Sequence, residues 1–248
     1  MNAGHCQTPT QTLVRVRGLG KTFVLHNRDG VELPVFSGLD MEVAAGECVV
    51  LSGPSGCGKS SLMRCLYGNY APSAGTVELR HGADWLDLSA ASPREVIDAR
   101  RRSVGYVSQF LRVIPRIPTL DLVAEPLRRL GLARTLADQQ ARELLERLAL
   151  PERLWHLPPA TFSGGEQQRV NVARGLIAPR PVLLLDEPTA SLDAGNRQIV
   201  VDLIGRARDR GAAIIGIFHD AEVRDAVATR SFDLGPYRPD RTLEEAAS

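Results

Sequence analysis

Lysine is almost missing from this chain of 248 residues: Lys21 and Lys59 are the only two, and arginine supplies the rest of the basic charge. The plain reading of that scarcity is a codon bias; even so, the chain keeps Lys59 inside a glycine-rich loop, where a compact ammonium fits between phosphates and a planar guanidinium would not. Excess charge of either sign is also lacking. The formal net charge is +1, which gives no reason to expect nucleic acid or an anionic membrane surface as the main partner. No apolar run approaches the ~20 residues that span a bilayer; a long one, residues 212–218, is far shorter. Residues 1–12 have neither a basic start nor an apolar stretch, so no secretory signal is expected and the cytoplasm is the expected location. The four cysteines, Cys6, Cys48, Cys57 and Cys65, form no Cys-x-x-Cys pair and accompany no histidine cluster. Neither a zinc site nor a disulfide framework is therefore expected.

What is present is a series of short polar motifs set into an alternating chain. Residues 13–17, 38–43 and 74–80 read as antiparallel strands, separated by turns at Ala45-Gly46-Glu47 and Pro72-Ser73-Ala74-Gly75. Residues 48–51 form a continuous apolar run, the pattern of a strand buried on both faces, and lead into Gly53-Pro54-Ser55-Gly56-Cys57-Gly58-Lys59-Ser60-Ser61. Residues 60–67 read as a helix. Strand, glycine-rich loop and helix together make a phosphate cradle: glycines let backbone N–H groups converge on phosphate oxygens, Lys59 reaches the terminal phosphates, and the Ser60 hydroxyl is placed for magnesium.

From about residue 119 to 157 the apolar period changes to that of helices, with Leu127, Leu130, Leu144, Leu145 and Leu148 on helix faces, as expected for an inserted helical lobe. The chain then re-enters a buried core through residues 182–185 and 213–218, with a helix over 199–210 between them. Asp186 follows four apolar residues, at the carboxyl end of a strand, where open α/β sheets place ligands. Its carboxylate is a candidate magnesium ligand, and Glu187 a candidate general base for an attacking water. Ser163-Gly164-Gly165-Glu166 precedes a helix over 169–177 and forms an anion site, directed at the γ-phosphate of a nucleotide on a second subunit. Taken alone it is also an ordinary helix cap. Gln109, after a strand over 104–108, could sense metal and water. His219, at a strand end, could contact the γ-phosphate and orient Glu187. Either residue alone is also an ordinary surface or structural side chain. Phe23 offers a stacking face for adenine, in competition with core packing. Cys57, at a helix N-terminus, is expected to have thiolate character and to be open to alkylation, the alternative being an inert small residue.

The order of phosphate loop, Gln109, Ser163-Gly164-Gly165-Glu166-Gln167, Asp186-Glu187-Pro188-Thr189, Ser191-Leu192-Asp193 and His219 resembles the ABC (ATP-binding cassette) ATPase domain over nearly the whole chain. Cys57, Phe162 and Glu166 depart from the commoner ABC pattern without removing a catalytic group. The resemblance implies a P-loop α/β fold, with a mixed sheet core, an N-terminal antiparallel β subdomain and an inserted helical subdomain. It places the ATP-binding core in 1–109 and 180–235, the helical lobe in 110–179 and a flexible tail in 236–248. It also implies ATP and Mg2+ as cofactors, Asp193 in the nucleotide site, and a homodimer or a heterodimer with a related cassette. Tyr67-Gly68-Asn69-Tyr70, residues 109–116 and 151–157, and Gly216-Ile217-Phe218-His219-Asp220 further resemble the L-type proteins of the phosphonate carbon-phosphorus lyase system. That likeness implies a non-transporting ATPase that remodels the lyase core complex. Residues 109–118 mix apolar side chains, Arg112, Arg116 and two prolines at the entrance to the lobe, so this segment is expected to dock the lyase-side partner. Lipoprotein and peptide exporters use closely similar cassettes, so a transporter subunit is the alternative. A phosphonate kinase or ribosyl-triphosphate transferase would need an acceptor pocket that no motif supplies. A chromosome-structuring ATPase would need a long coiled coil, for which ~50 residues of lobe are too few.

Overall fold

The computed structural model describes residues 11–25, 30–111 and 115–239. Strands β1 (Thr12–Leu25), β2 (Val31–Ala44), β4 (Ala74–His81) and β5 (Asp84–Asp87) form one antiparallel sheet in the order β2-β1-β4-β5. Strands β3 (Cys48–Ser52), β6 (Val104–Val107), β7 (Val182–Asp186), β8 (Ala213–Ile217) and β9 (Arg230–Asp233) form a second sheet in the order β6-β7-β8-β3-β9. Its pairings are all parallel, so antiparallel pairing is confined to the N-terminal sheet.

The unbroken apolar runs have a topological cause. Helices α1 (Lys59–Leu66) and α2 (Pro93–Arg102), the lobe helices α3 (Thr119–Arg129) and α4 (Arg134–Arg147), and α5 (Gly164–Leu176), α6 (Ala194–Asp209) and α7 (Ala221–Val227) complete the fold. Alternate residues of the parallel strands enter two different cores. Cys48, Val50, Leu183, Leu185 and Ile214 pack with the helical side, whereas Val49, Leu51, Leu184 and Ile215 pack with α1 and the antiparallel sheet. Burial of each such side chain contributes roughly 1.5–3 kcal/mol. A sheet covered on both faces leaves its strand ends as the place where polar chemistry can face outward.

Leu127, Leu145 and Leu148 are buried as their spacing predicts, but Leu130 caps α3 and is 41% exposed. Besides the seven-residue α7, three elements carried too weak a pattern to be read from the sequence. They are β5, only four residues long; β9, whose side chains alternate between half-buried and exposed; and α2, with Ala99 as its one buried residue. Cys6, residues 26–29, Arg112 and the tail from 240 onward lie outside the described residues.

Candidate functional site

Strand β3 ends at Ser52, and the chain turns through Gly53, Gly56 and Gly58, all with positive φ, before α1 begins. Gly58 is required twice over. Its φ is +99°, and a Cβ there would lie 2.7 Å from Val35 Cγ1 and 2.9 Å from Phe36 Cδ1, so β2 presses the loop against the helix start. Lys59 folds back over this loop, its ammonium donating to the carbonyl oxygens of Gly53 at 2.7 Å and Pro54 at 3.1 Å. Pro54, Ser55 and Ser60 are exposed beside it, and Ser61 is half-buried.

Cys57 corrects an expectation. It is fully buried, with its sulfur beneath Gly53, where an added Cβ would approach Sγ to 2.8 Å. The thiol packs the underside of the loop and is closed to alkylating reagents. Burial also pushes the Cys48 thiol up to about 12 and that of Cys65 up to about 11, so these are inert core residues.

At the carboxyl end of β7, Asp186 is 5% exposed. One carboxylate oxygen accepts from the Tyr106 hydroxyl at 3.2 Å, and the other, Oδ1, is buried without a partner. Desolvation pushes this carboxyl above its ordinary value; the Tyr106 hydrogen bond opposes the rise and nearby Glu187 adds to it. Ser60, Gln109 and Asp186 all line one cavity of about 640 Å³ between β6 and the helices. A hydroxyl, an amide oxygen and an unpartnered carboxylate oxygen are the hard oxygen donors that magnesium takes. Among the described residues no group of three or more His, Cys, Asp or Glu side chains could hold a metal by itself. A cation here would need further ligands from a bound phosphate.

That orphaned oxygen predicts a stability effect. A carboxyl with a higher pKa in the folded than in the unfolded chain binds its proton more tightly when folded, so stability falls as pH rises between the two values. Asp186→Asn, being neutral, should raise the melting temperature of the nucleotide-free protein at pH 7 to 8. The gain should vanish as pH falls below the ordinary aspartate value of about 4. Scanning calorimetry across this range checks it; a variant less stable than wild type at pH 8 contradicts the argument.

Glu187 follows with φ +52°, a left-handed conformation that non-glycine residues adopt at a cost of order 1–3 kcal/mol. Its amide donates to the Ile217 carbonyl at 3.0 Å, and its side chain lies half-buried, Oε1 standing 2.8 Å from Nε2 of His219. His219 follows β8, its side chain largely exposed, and the residue after it anchors the start of the next helix. Asp220 caps α7 by accepting from the amides of Glu222 and Val223, and Arg197 of α6 pairs with it.

Ser163 caps α5 through a reciprocal box: its hydroxyl accepts from the Glu166 amide at 3.3 Å, and the Glu166 carboxylate accepts from the Ser163 amide at 2.8 Å and hydroxyl at 2.7 Å. These bonds, the side-chain one first, hold the Glu166 carboxyl below its ordinary value. The amides of Gly164 and Gly165 in the first turn have no intrahelical acceptor. Gly165 cannot be replaced, because a Cβ would sit 2.9 Å from the Ser191 carbonyl oxygen. Asp193 is occupied in capping α6, accepting from the Asn196 amide at 2.9 Å and side chain at 2.8 Å. Phe23 is not among the residues lining the cavity. It is half-buried on β1, edge-on to Tyr70 at 5.2 Å, with the Lys21 ammonium 4.8 Å from its centroid.

The structure thus joins Ser60, Gln109 and Asp186 in one cavity and Glu187 to His219 in one hydrogen bond. It places Ser163–Gly165 on a separate helix start. Sequence reading missed Tyr106, which holds Asp186, and the buried amides Gln168 and Asn171 on α5. Asn171 stands among Val170, Val172 and Ala173; a polar residue inside such a run was the available signal.

With that geometry in view, the chain can be set beside known proteins. The family model described as ABC transporter matches residues 36–190. The lipoprotein-releasing system ATP-binding protein LolD 2 of Caulobacter vibrioides is 41% identical over 213 residues, 85% of this chain and 90% of that protein. An uncharacterised ABC transporter ATP-binding protein of Mycobacterium tuberculosis is 38% identical over 207 residues, 84% of this chain. The chain spans only 61% of that relative's length. Among solved structures, the ATP-binding cassette MJ0796, a dimer in a post-hydrolysis state with ADP and Pi, superposes with a TM-score of 0.81 at 26% identity, covering 92% of this chain and 97% of that one. The similar proteins are transporter ATP-binding proteins and lend no support to the carbon-phosphorus lyase resemblance. A glycine-rich loop ending in Lys59-Ser60, a serine-capped helix and an acidic strand end, in this order and on this fold, make the chain a member of the ABC transporter family of P-loop ATPases.

Proposed function

We propose that this chain is the ATP-hydrolysing subunit of a membrane exporter of the lipoprotein-releasing kind, working on the cytoplasmic side as half of an ATP-bridged pair. The observation that carries the exporter reading is the 41% identity to a lipoprotein-releasing ATP-binding protein of which this chain covers 90%. No helix among the described residues is long and apolar enough to cross a membrane, so the translocation path would belong to partner subunits. The chain's own surface suits such a partner. Phe110 is 75% exposed and Ile97 61% exposed, and both border the same cavity as Arg100, Arg101 and Arg129. Two large apolar side chains left in water beside a basic cleft are a docking feature.

The chemistry follows from the residues. Backbone amides of the Gly53–Ser60 loop and the Lys59 ammonium would hold the β- and γ-phosphates. Ser60, Gln109 and Asp186 would hold magnesium, which when bound offsets the negative charge on the phosphates. Glu187 takes a proton from water as its oxygen bonds to the γ-phosphorus, and the bond to the β,γ-bridging oxygen breaks, leaving ADP and phosphate. His219 orients the Glu187 carboxylate and reaches toward the γ-phosphate. Ser163, Gly164 and Gly165 face the γ-phosphate held by a second cassette, identical or related. Binding there exchanges the Ser163–Glu166 hydroxyl bond for one to phosphate.

The reading is tested by purifying the tagged chain from its host and identifying what accompanies it. Integral-membrane permease subunits are expected; enzymes of carbon-phosphorus bond cleavage in their place would restore the lyase reading. Phe110→Asp should remove the permease subunits from the eluate and leave ATP affinity within about twofold. A complex unchanged by this substitution places the interface elsewhere.

A further inference from the structure

Gln168 and Asn171 stand three residues apart on α5, and both side chains are more than nine-tenths buried, at 4% and 5% exposure. Neither belongs to the phosphate loop, the acidic strand end or the cap at Ser163. Buried amides of this kind are costly unless their hydrogen-bonding groups are matched, and here the matches run to two distant segments. Gln168 Nε2 donates to the carbonyl oxygens of Glu187 at 3.2 Å and Pro188 at 3.0 Å. Asn171 Nδ2 donates to the carbonyl oxygen of Ser108 at 2.5 Å and lies 3.4 Å from Oε1 of Gln168. A chain of buried hydrogen bonds therefore leads from Ser108, across α5, to Glu187.

Both ends of this chain need holding. Glu187 has its left-handed backbone, which persists only where the surroundings fix it. Ile217 binds its amide, and Gln168 binds its carbonyl. At the other end the sheet pairing of β6 finishes at Val107 against Leu185, so Ser108 and Gln109 lie beyond the ladder. The Asn171 bond is what ties that exit to α5.

We propose that Gln168 and Asn171 are positioning residues, a buried amide relay that holds Glu187 and the Ser108–Gln109 segment in one register, so that a shift at the end of β6 is felt at Glu187. This rests on Glu187 being the general base. The relay touches no part of the Gly53–Ser60 loop, so its loss slows turnover and leaves nucleotide binding intact. Misplacement of a reacting group by about 1 Å can cost on the order of 100-fold in rate, and partial loosening about 10-fold.

The test compares Gln168→Leu, Asn171→Ala, Asn171→Asp and Glu187→Gln with wild type, reading kcat and KM for ATP hydrolysis and ATP affinity by calorimetry. Gln168→Leu and Asn171→Ala should each lower kcat about 10-fold, with ATP affinity within about twofold. Asn171→Asp supplies a readout that simple loss of packing would not move. As a carboxylate it opposes the Ser108 carbonyl, and once protonated it donates to it. Its kcat relative to wild type should therefore climb as pH falls from 8 toward 6, burial having raised its pKa, while the Asn171→Ala ratio stays flat. A kcat within twofold of wild type in Asn171→Ala, losses carried by KM alone, or parallel pH profiles for the two Asn171 variants would each overturn the relay. If Gln168→Leu does not fold, the two Asn171 variants decide the matter. A Glu187→Gln variant that hydrolyses ATP at the wild-type rate would instead remove the general-base assignment, a separate failure.

Discussion

Glu187→Gln should bind ATP normally and hydrolyse it at least ~100-fold more slowly, the scale for losing a general base. The substitution changes little else. Gln at φ +52° carries the same backbone strain, its amide still donates to Ile217, and its side chain can still reach His219. The unhydrolysed nucleotide then has a structural consequence. If the amides of Gly164 and Gly165 and the Ser163 hydroxyl grip the γ-phosphate held by another cassette, each ATP stabilises the pair through contacts to both chains. Light scattering of the variant with ATP and magnesium should report twice the chain mass of 27.0 kDa and return to the monomer with ADP. Adding Ser163→Arg should abolish the dimer, since it destroys the capping box and fills the helix start with a bulky cation. A single variant that stays monomeric at saturating ATP, alone and with a related cassette, would remove the bridged pair.

The second large effect is expected at Lys59. Lys59→Ala should reduce ATP affinity by at least ~100-fold, because charge-assisted hydrogen bonds are worth roughly 1.5–3 kcal/mol each and two or more are lost. No other lysine can substitute. Lys21, the only other one, is held at the Ala71 carbonyl at 2.8 Å and over Phe23. Lys59→Arg should not restore binding, since a planar, forked guanidinium does not supply the compact point charge that fits between phosphates. Calorimetric titration with ATP checks both variants. Affinity within about tenfold of wild type in Lys59→Ala would show that the backbone amides hold the phosphates unaided.

The sequence by itself determined the loop, the acidic strand end, the capped Ser163 helix and their order, because each is written in a local rule. Positive φ demands glycine at Gly58, a strand covered on both faces demands an unbroken apolar run over 182–185, and a helix start favours serine followed three residues later by glutamate. It could not determine what those motifs share. Asp186 and Tyr106 are 80 residues apart and Ser108 and Asn171 are 63 apart, so their contacts exist only once β6 pairs with β7 and α5 lies across the strand ends. The misreading of Cys57 has the same origin. A helix N-terminus suggested an activated thiol, but the chain folds Gly53 over the sulfur and excludes solvent. Asp193, which the resemblance put in the nucleotide site, caps α6 at Asn196, and Phe23, read as a stacking face in competition with packing, lies edge-on to Tyr70; neither contact could be read from the sequence. Local sequence specifies backbone conformation and pattern of burial; which buried polar groups meet is decided by packing, since hydrogen bonds between distant segments leave no period in the chain.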